Sequence, residues 1–243
     1  GPRPHQTPPT REVRDSAPNP DEKPIPPLEA GNIRIIPLGG VEEIGRNMTA
    51  VEFGDDIVII DCGFQFREDD TPGIDYILPN TKYLEDRRDK IRAMFITHGH
   101  LDHIGGIPYI IDRVGYPPVY TRELTSVMIK KRQEEFPNLK PLDMQIVEKE
   151  DTVKVGNLRV KFFSVTHTIP DSMGIIIETP YGLMVFTGDL KLDHVNGVPT
   201  EREEKEFAFF NDKKVLFLAA DSTNVERAGF SIPESLVQKN MDD

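Results

Sequence analysis

The stretch "THGHLDHIGG", residues 97–106, contains the densest group of potential metal ligands in the chain. Four of them fall within six consecutive positions: His98, His100, Asp102 and His103. Imidazole and carboxylate groups suit zinc, and also manganese or iron, whereas the stretch lacks the thiolates that would favour a closed structural zinc site. The pattern therefore predicts an open metal site of the catalytic kind.

The surrounding sequence indicates how these side chains are placed. A buried strand is predicted at Ala93–Thr97, so the cluster begins in the loop that follows it. Alternate residues of an extended segment point to the same side, and His98 and His100 are therefore expected to reach one ion together. Asp102 and His103 follow where the chain turns into a helix, and they are expected to face a second ion.

Three polar residues at the ends of other predicted strands are candidate partners of this cluster. His167 follows the apolar run "FFSV", Asp189 ends "YGLMVFTGD" and Asp61 ends "IVIID". A carboxylate can bridge two cations and hold them roughly 3.5–4 Å apart, which makes Asp189 a candidate for that role. His167 would be a further ligand, and Asp61 would orient a ligand histidine from behind. Considered singly, such residues are more often turn formers or packing residues, so these assignments depend on the cluster at 98–103.

Three further residues with reactive side chains have simpler explanations. The single cysteine, Cys62, is interpreted as a small buried apolar residue because no base is assigned to it. His194 could contact substrate, although a solvated loop position is the simpler interpretation. His5 lies in a proline-rich tail and is interpreted as incidental.

Composition and charge limit the classes of protein to which the chain could belong. The chain has 243 residues, 37% of them hydrophobic, a formal net charge of −12 and one cysteine. It contains neither an apolar run of about eighteen residues nor a signal peptide, and one cysteine allows no internal disulfide, so a cytoplasmic protein without a membrane partner is expected. The acidity argues weakly against a non-specific nucleic-acid coat, which would carry a basic face.

The order of the predicted elements indicates a layered α/β domain with mixed β-sheets. Residues 1–30 hold nine of the 21 prolines and are predicted to be a disordered tail. Residues 31–230 give short strands, then helices at "IGGIPYIIDRVG" and "ELTSVMIKKRQEEF", the second stopped by Pro137, then strands again. Residues 231–243 are predicted to start another helix with Ser231 as its cap, which suggests that the chain is part of a longer protein.

Several motifs occur in an order that resembles the bacterial ribonuclease J family, in the β-CASP branch of the metallo-β-lactamase superfamily. HxHxDH after a strand, a distant histidine and a later "TGD" are typical of the superfamily as a whole. The motifs that resemble ribonuclease J, between about residue 32 and residue 243, are "IPLGGVEEIGRNM", "IIDCGFQF", "THGHLDHIGGIPYI", "HTIPDSMG", "TGDLKLD" and "ADSTN".

The resemblance implies a fold and a cofactor. The fold would be α/β, an αββα sandwich of two mixed β-sheets with the metal site at one edge of the sheets. The cofactor would be two divalent ions, preferably Zn²⁺, with Mn²⁺ or Mg²⁺ as alternatives. The residues that match the family's ligand motifs are His98, His100 and His167 for one ion, Asp102 and His103 for the other, and Asp189 bridging them.

The resemblance also implies an activity. The substrate would be RNA with a 5′-monophosphorylated end. The activity would be that of a 5′→3′ exonuclease that also cuts internally and acts in RNA maturation and decay. Asp61, Asp102 and Asp189 would be the catalytic carboxylates. Partners would be a second copy of the chain or the RNA-decay machinery. Residues 231–243 would begin a truncated β-CASP insertion, which supplies the 5′-phosphate pocket and precedes a further histidine ligand, so the 243-residue chain is expected to have weak or no activity alone.

Two alternatives stay open at this point. Another hydrolase of the superfamily, acting on thioesters or lactams, would share HxHxDH, although "LGGVEEIGRNM" and "GDLKLD" favour the nuclease. A catalytically incompetent piece with an empty metal site would share the fold but not the activity. Assays with RNA and with thioesters, together with elemental analysis, would separate the three.

Overall fold

The structure is a computed structural model that describes residues 25–66, 73, 75–195 and 197–229. His5, most of the proline-rich tail and the predicted terminal helix with Ser231 lie outside these residues. Residues 25–30, the described part of the tail, form neither helix nor strand, and Arg34 donates a hydrogen bond of 2.6 Å to the carbonyl of Pro26. The division into tail, domain and following insertion stays a prediction.

Short strands and short helices alternate along the described part of the chain. The strands are β1 (Ile33–Gly39), β2 (Met48–Phe53), β3 (Asp56–Ile60), β4 (Gln65–Phe66), β5 (Tyr76–Ile77), β6 (Ile91–Phe95), β7 (Val119–Thr121), β8 (Met144–Ile146), β9 (Thr152–Val155), β10 (Leu158–Ser164), β11 (Met173–Thr179), β12 (Gly182–Phe186) and β13 (Val215–Ala219). The α-helices are α1 (Lys82–Glu85), α2 (Leu101–Ile104), α3 (Ile107–Ile110), α4 (Glu123–Gln133) and α5 (Glu201–Phe207), and 3₁₀ helices lie at Arg88–Lys90 and Ala208–Phe210. None of the helices described is long and apolar enough to span a lipid bilayer.

The strands form two mixed sheets and a small hairpin of β4 and β5. The first sheet has the order β1-β2-β3-β6-β7-β8, and the second has the order β13-β12-β11-β10-β9. In the first sheet β1, β2 and β3 are antiparallel neighbours, whereas β3, β6, β7 and β8 run parallel. In the second sheet the neighbours are antiparallel except β12 and β13, which run parallel. The predicted pair of mixed sheets is therefore confirmed.

The two sheets face each other across an apolar layer, and helices cover their outer faces. Strand β3 is buried throughout, so its successive side chains serve both faces of the first sheet. Val58 and Ile60 point to the layer between the sheets and belong to the same cluster as Phe162 of β10. Ile57 and Ile59 belong to the outer cluster that also contains isoleucines of α2, α3 and α4. The α5 segment packs on the outer face of the second sheet, which completes an αββα sandwich and confirms the predicted fold class.

Three predicted boundaries differ from those observed, and the first is the helix predicted at "IGGIPYIIDRVG", which is confined to α3 (Ile107–Ile110). The strand predicted at Ala93–Thr97 is β6, two residues earlier in the chain. Its ladder with β3 stops because the Thr97 amide donates to a carboxylate oxygen of Asp61, 2.8 Å away, instead of to a backbone carbonyl. The helix predicted to extend to Phe136, just before Pro137, ends at Gln133, three residues earlier, and the chain continues there in hydrogen-bonded turns.

A buried carboxylate at the start of β3 links the two sheets through hydrogen bonds. Asp56 is only 3% exposed. Its side chain accepts hydrogen bonds from Arg92 Nε at 2.5 Å and from the Asn157 backbone amide and Nδ2 at 2.7 and 2.9 Å. Asn157 lies in the turn between β9 and β10 of the other sheet. Burial opposes the ionisation of Asp56, but these donors outweigh it and lower the pKa of the carboxyl group.

We expect Asp56→Ala to reduce the free energy of unfolding by about 2 to 3 kcal/mol at neutral pH, because it leaves charged and amide donors without their acceptor. Since the folded-state pKa is depressed, this contribution is complete above the ordinary aspartate pKa of about 3.9 and is lost as the pH falls towards the folded value. Urea denaturation at pH 7 and near pH 3 measures both effects.

The neighbouring Asp55 provides the matched control for this prediction. Its carboxylate is 84% exposed and pairs with Lys90 at 2.9 Å. Asp55→Ala is therefore expected to cost less than about 1 kcal/mol. Equal losses in the free energy of unfolding for the two variants would show that Asp56 does not link the sheets.

Candidate metal centre

The predicted ligands come together at one edge of the sandwich, just beyond the ends of four strands. Asp61 follows β3, residues 97–103 follow β6, His167 follows β10 and Asp189 follows β12. Two of these strands belong to each sheet. Side chains far apart in the sequence therefore meet because the strands that precede them end at the same edge.

Three histidines and one carboxylate form the first ligand group: His98, His100, His167 and Asp189. The Nδ1 atom of His100 lies 3.1 Å from Nε2 of His98 and 3.2 Å from Nε2 of His167. The Oδ2 atom of Asp189 lies 3.8 Å from Nε2 of His98 and 3.6 Å from Nε2 of His167. One ligand atom from each residue lies within 4.8 Å of the others, so all four can touch one cation.

The second ligand group consists of Asp102, His103 and Asp189. The Nε2 atom of His103 lies 3.2 Å from Oδ1 of Asp189 and 3.5 Å from Oδ2 of Asp102. The two oxygens of Asp189 therefore face different groups, Oδ2 the first and Oδ1 the second. This is the placement that a bridging carboxylate requires.

Asp61 and Thr97 lie behind the ligands. Asp61 is 5% exposed, and its Oδ2 atom lies 2.8 Å from Nδ1 of His103. The Thr97 hydroxyl lies 2.9 Å from the same oxygen and 3.0 Å from Nδ1 of His98. Asp61 belongs to neither ligand group, so its contact with the centre is through the back of a ligand ring.

The backbone after β3 fits closely against α2 and so fixes Asp102 and His103. Asp61 has a φ of 60°, a left-handed conformation that aspartate tolerates better than most residues. The amide of Cys62 then donates to the carbonyl of His103 at 2.8 Å. A Cβ atom on Gly63 would overlap the carbonyl oxygen of Asp102. Glycine at position 63 thus allows the contact that holds a helix of only four residues in place.

The loops that carry His167 and Asp189 are joined to each other by a backbone hydrogen bond, and the second of them packs against Thr97, which follows β6 of the first sheet. The amide of Lys191 donates to the carbonyl of Thr166 at 2.7 Å. Gly188 has a φ of 59°, and a Cβ atom there would lie 2.8 Å from Cβ of Thr97. The absence of a side chain at position 188 therefore lets Asp189 approach the histidine cluster.

Burial favours the neutral imidazole at His98 and at His167 in the first group. Burial, with added repulsion from neighbouring histidines, lowers the pKa of His98 to about 2. Burial also lowers the pKa of His167. A neutral ring keeps a nitrogen lone pair available for a cation.

The second group has the opposite electrostatics. Burial opposes the charging of His103, but the carboxylates of Asp61, Asp102 and Asp189 prevail and raise its pKa well above the ordinary value. Burial likewise opposes the ionisation of Asp189, yet the neighbouring histidines hold its pKa at about 2. The pKa of Asp102 is lowered, because contact with His103 outweighs burial. Ionised carboxylates around one site attract positive charge, which a divalent cation can supply.

The centre is open on the side of its carboxylates. The side chains of Asp102 and Asp189 are 33% and 30% exposed, whereas those of His98 and His103 are almost completely buried. A substrate would therefore approach past Asp102 and Asp189.

Three residues near the centre were not singled out from the sequence. Asn47 Nδ2 lies 3.3 Å from Oδ2 of Asp102 and 3.1 Å from Nε2 of His103. Asp221 accepts a hydrogen bond of 3.3 Å from the amide of Leu190, next to Asp189. Thr97 is the third, through the contacts given above. Each of these residues contacts a partner that is distant in the sequence, by 31 positions for Asp221, 36 for Thr97 and 56 for Asn47. The available sequence signal is that Asn47 and Asp221 fall within the quoted motifs and that Thr97 directly precedes His98.

Two other residues considered from the sequence lie outside both ligand groups. Cys62 is completely buried, and burial raises the pKa of its thiol, which agrees with its interpretation as a packing residue. His194 has its Nε2 atom 4.0 Å from a carboxylate oxygen of Glu203. Neither can serve as a ligand in the arrangement described.

The donor chemistry fits a pair of divalent cations. The first group offers three imidazole nitrogens and a carboxylate oxygen, and the second offers an imidazole and two carboxylates. Nitrogen and oxygen donors of this kind suit zinc, manganese or iron, and a site with three protein ligands leaves a position open. The donors alone do not select one metal.

Comparisons with known proteins agree with this geometry. The model of the metallo-beta-lactamase superfamily matches residues 41–219. Proteins named ribonuclease J 2 from Staphylococcus aureus (strain NCTC 8325 / PS 47) and Staphylococcus saprophyticus are 36% and 37% identical to the chain over 212 residues, which are 87% of this chain and 38% of each relative. A crystal structure of a protein of unknown function from Enterococcus faecalis V583 shares the fold with a TM-score of 0.62 and 21% identity, over 86% of this chain and 57% of that one.

The chain spans about two fifths of the length of the ribonuclease J 2 relatives. The superfamily model matches well over half of this chain, and the matched residues 41–219 include both ligand groups. From this match, and from the αββα sandwich with its ligand groups at one edge, we conclude that the chain belongs to the metallo-beta-lactamase superfamily.

Proposed function

We propose that this chain carries the metal centre of a ribonuclease that hydrolyses RNA phosphodiester bonds. The observation that carries the proposal is the position of Asp189, with Oδ1 3.2 Å from His103 and Oδ2 3.6 Å from His167. A carboxylate shared between two ligand groups is the arrangement used by two-metal hydrolases. The similarity to proteins named ribonuclease J 2 supports RNA as the substrate.

In this proposal His98, His100, His167 and Asp189 hold one divalent cation, and Asp102, His103 and Asp189 hold the other. When bound, the two cations lower the pKa of water from 15.7 to about 7 and offset the charge that develops on the phosphate. Zinc is the preferred metal, with manganese or magnesium as alternatives.

The protein's own groups have three tasks in this reaction. The neutral rings of His98 and His167 present lone pairs without adding positive charge that would repel a cation. The partly exposed carboxylates of Asp102 and Asp189 mark the side from which the phosphate group arrives. Asp61 is a positioning residue rather than a direct participant, because it contacts the centre only through His103 and Thr97.

The finer features of the activity are part of the same proposal. We infer a 5′→3′ exonuclease that also cuts internally, acting on 5′-monophosphorylated RNA in cytoplasmic RNA processing and decay. A β-CASP insertion following residue 230 would complete the RNA channel, and a second copy of the chain or the RNA-decay machinery would be a partner. The 212 matched residues are 38% of these relatives, so each of these features is proposed for the longer protein rather than for the matched part alone.

A substrate comparison tests the proposal. The chain, loaded with zinc or manganese, is incubated in excess over a labelled single-stranded RNA, a thioester and a β-lactam, before and after treatment with a chelator. We expect slow cleavage of the RNA that the chelator abolishes and added metal restores, with no comparable hydrolysis of the other two. Chelator-sensitive hydrolysis of the thioester or lactam without RNA cleavage would contradict the nuclease and favour another hydrolase of the superfamily.

A further inference from the structure

A chain of hydrogen bonds joins a single buried carboxylate to one histidine in each ligand group. Asp61 contacts His103 directly and contacts His98 only through the hydroxyl of Thr97. We propose that Thr97 is a positioning residue that forms a hydrogen-bond relay between Asp61 and His98. The relay fixes the His98 ring with its proton on Nδ1 and its lone pair on Nε2. The proposal rests on the proposed function only in taking the first ligand group to hold a cation.

The direction of the first hydrogen bond follows from the chemistry of the carboxylate. An ionised carboxylate can accept hydrogen bonds but cannot donate them. The Thr97 hydroxyl lies 2.9 Å from Oδ2 and 3.1 Å from Oδ1 of Asp61, and the Thr97 amide lies 2.8 Å from Oδ1. Both groups of Thr97 therefore donate to Asp61, and the hydroxyl has used its only hydrogen.

The direction of the second hydrogen bond follows from the first. A hydroxyl oxygen whose hydrogen points to Asp61 can only accept from another partner. Nδ1 of His98 lies 3.0 Å from this oxygen, so Nδ1 carries the hydrogen. In a neutral imidazole the other nitrogen, Nε2, then carries the lone pair, and it is this atom that faces His100 and Asp189.

The surroundings of Thr97 leave its hydroxyl little alternative. Thr97 is 1% exposed, so bulk water does not compete for the hydrogen bond. Its side chain lies against Gly188, where even one added carbon would come within 2.8 Å of it. The amide of Met173 donates to the Thr97 carbonyl at 3.0 Å and anchors the backbone to the second sheet. The hydroxyl is therefore held at the position where it can connect Asp61 and His98.

The relay predicts that Asp61 and Thr97 act on different parts of the centre. Asp61 orients His103 of the second group directly and His98 of the first group indirectly. Thr97 is within 3.0 Å of His98 but 3.5 Å from Nδ1 of His103, which already has Asp61 at 2.8 Å. Loss of the Thr97 hydroxyl should therefore weaken the first group and leave the second largely intact.

Two variants together isolate the contribution of the hydroxyl. Thr97→Val replaces it with a methyl group of similar volume, and Thr97→Ser keeps it and removes the methyl group. Titration with Zn²⁺ and with Mn²⁺ by calorimetry measures cation affinity without any RNA. We expect Thr97→Val to lower the affinity of the first group by about 10- to 100-fold, the effect typical of losing a hydrogen-bond partner behind a ligand histidine, and Thr97→Ser to stay within a few-fold of the unaltered protein.

A second measurement, on the unaltered protein, does not depend on the folding of either variant. Histidine side-chain ¹⁵N–¹H correlation spectra of the metal-free protein distinguish a protonated ring nitrogen from an unprotonated one, with His98→Gln used to assign the signal. We expect His98 with its proton on Nδ1. A proton on Nε2 instead, or equal affinities for Thr97→Val and Thr97→Ser, would overturn the relay. Failure of the unaltered protein to bind either cation would contradict the proposed function instead, while the spectra would still decide the relay.

Discussion

Replacing Asp189 with asparagine is expected to weaken cation binding by both ligand groups and to reduce RNA hydrolysis by at least about 100-fold, the scale on which removal of one charge-stabilising group acts in other enzymes. The physical reason is that each oxygen of Asp189 faces a different group, with Oδ1 3.2 Å from His103 and Oδ2 3.6 Å from His167. An asparagine keeps the shape but loses the negative charge and one of the two oxygens. Equilibrium dialysis followed by elemental analysis measures bound metal, and an assay with enzyme in excess over labelled RNA measures hydrolysis.

Asp212→Asn is the matched control for this change. Asp212 is exposed and belongs to neither ligand group. The Asp212→Asn variant should bind as much metal as the unaltered chain and should cleave RNA as fast. Normal metal content in Asp189→Asn would contradict the bridging role, whatever the effect on hydrolysis.

His98→Ala and Asp102→Ala are expected to abolish hydrolysis while affecting different cations. His98 belongs only to the first group and Asp102 only to the second. Each variant should therefore retain one cation per chain and lose the other, and because hydrolysis needs both, neither should cleave RNA. Metal content per chain and the RNA assay measure the two effects, and circular dichroism checks that the fold is retained.

His194→Ala is the control for the histidine change, since His194 lies in a loop and in neither ligand group. It should keep both cations and its hydrolytic activity. Full activity in His98→Ala or in Asp102→Ala would refute the assignment of that residue. Loss of both cations in each variant would mean that the two ligand groups do not bind independently.

Much of the fold follows from patterns that involve neighbouring residues. The apolar runs of β3 and β6 are evident in the sequence because burial on both faces leaves few polar residues within a strand. The predicted end of β6 is wrong because Ile96 and Thr97 are as buried as the strand itself, and the hydrogen bond from the Thr97 amide to Asp61 marks where pairing with β3 stops. Tertiary contacts of this kind leave no local trace in the sequence.

The candidate site likewise contains residues that a local sequence pattern identifies and residues whose roles depend on contacts with distant parts of the chain. The residues at positions 98 to 103 were identified because four potential ligands in one short segment form a recognisable pattern. The contribution of Asn47 depends on contacts with residues 55 and 56 positions away, so nothing near it in the sequence reveals that it touches Asp102 and His103. Thr97 directly precedes the histidine cluster, yet its role depends on Asp61, 36 positions earlier.

The central claim is that this edge of the sandwich binds two divalent cations through a shared aspartate, and a crystal structure of the zinc-loaded chain with anomalous data tests it most directly. We predict two anomalous peaks per chain, one within about 2.0–2.2 Å of ligand atoms of His98, His100 and His167 and one at a similar distance from Asp102 and His103, with Asp189 touching both. Ordered His and Asp side chains without a peak among them, or peaks confined to other parts of the surface, would contradict it.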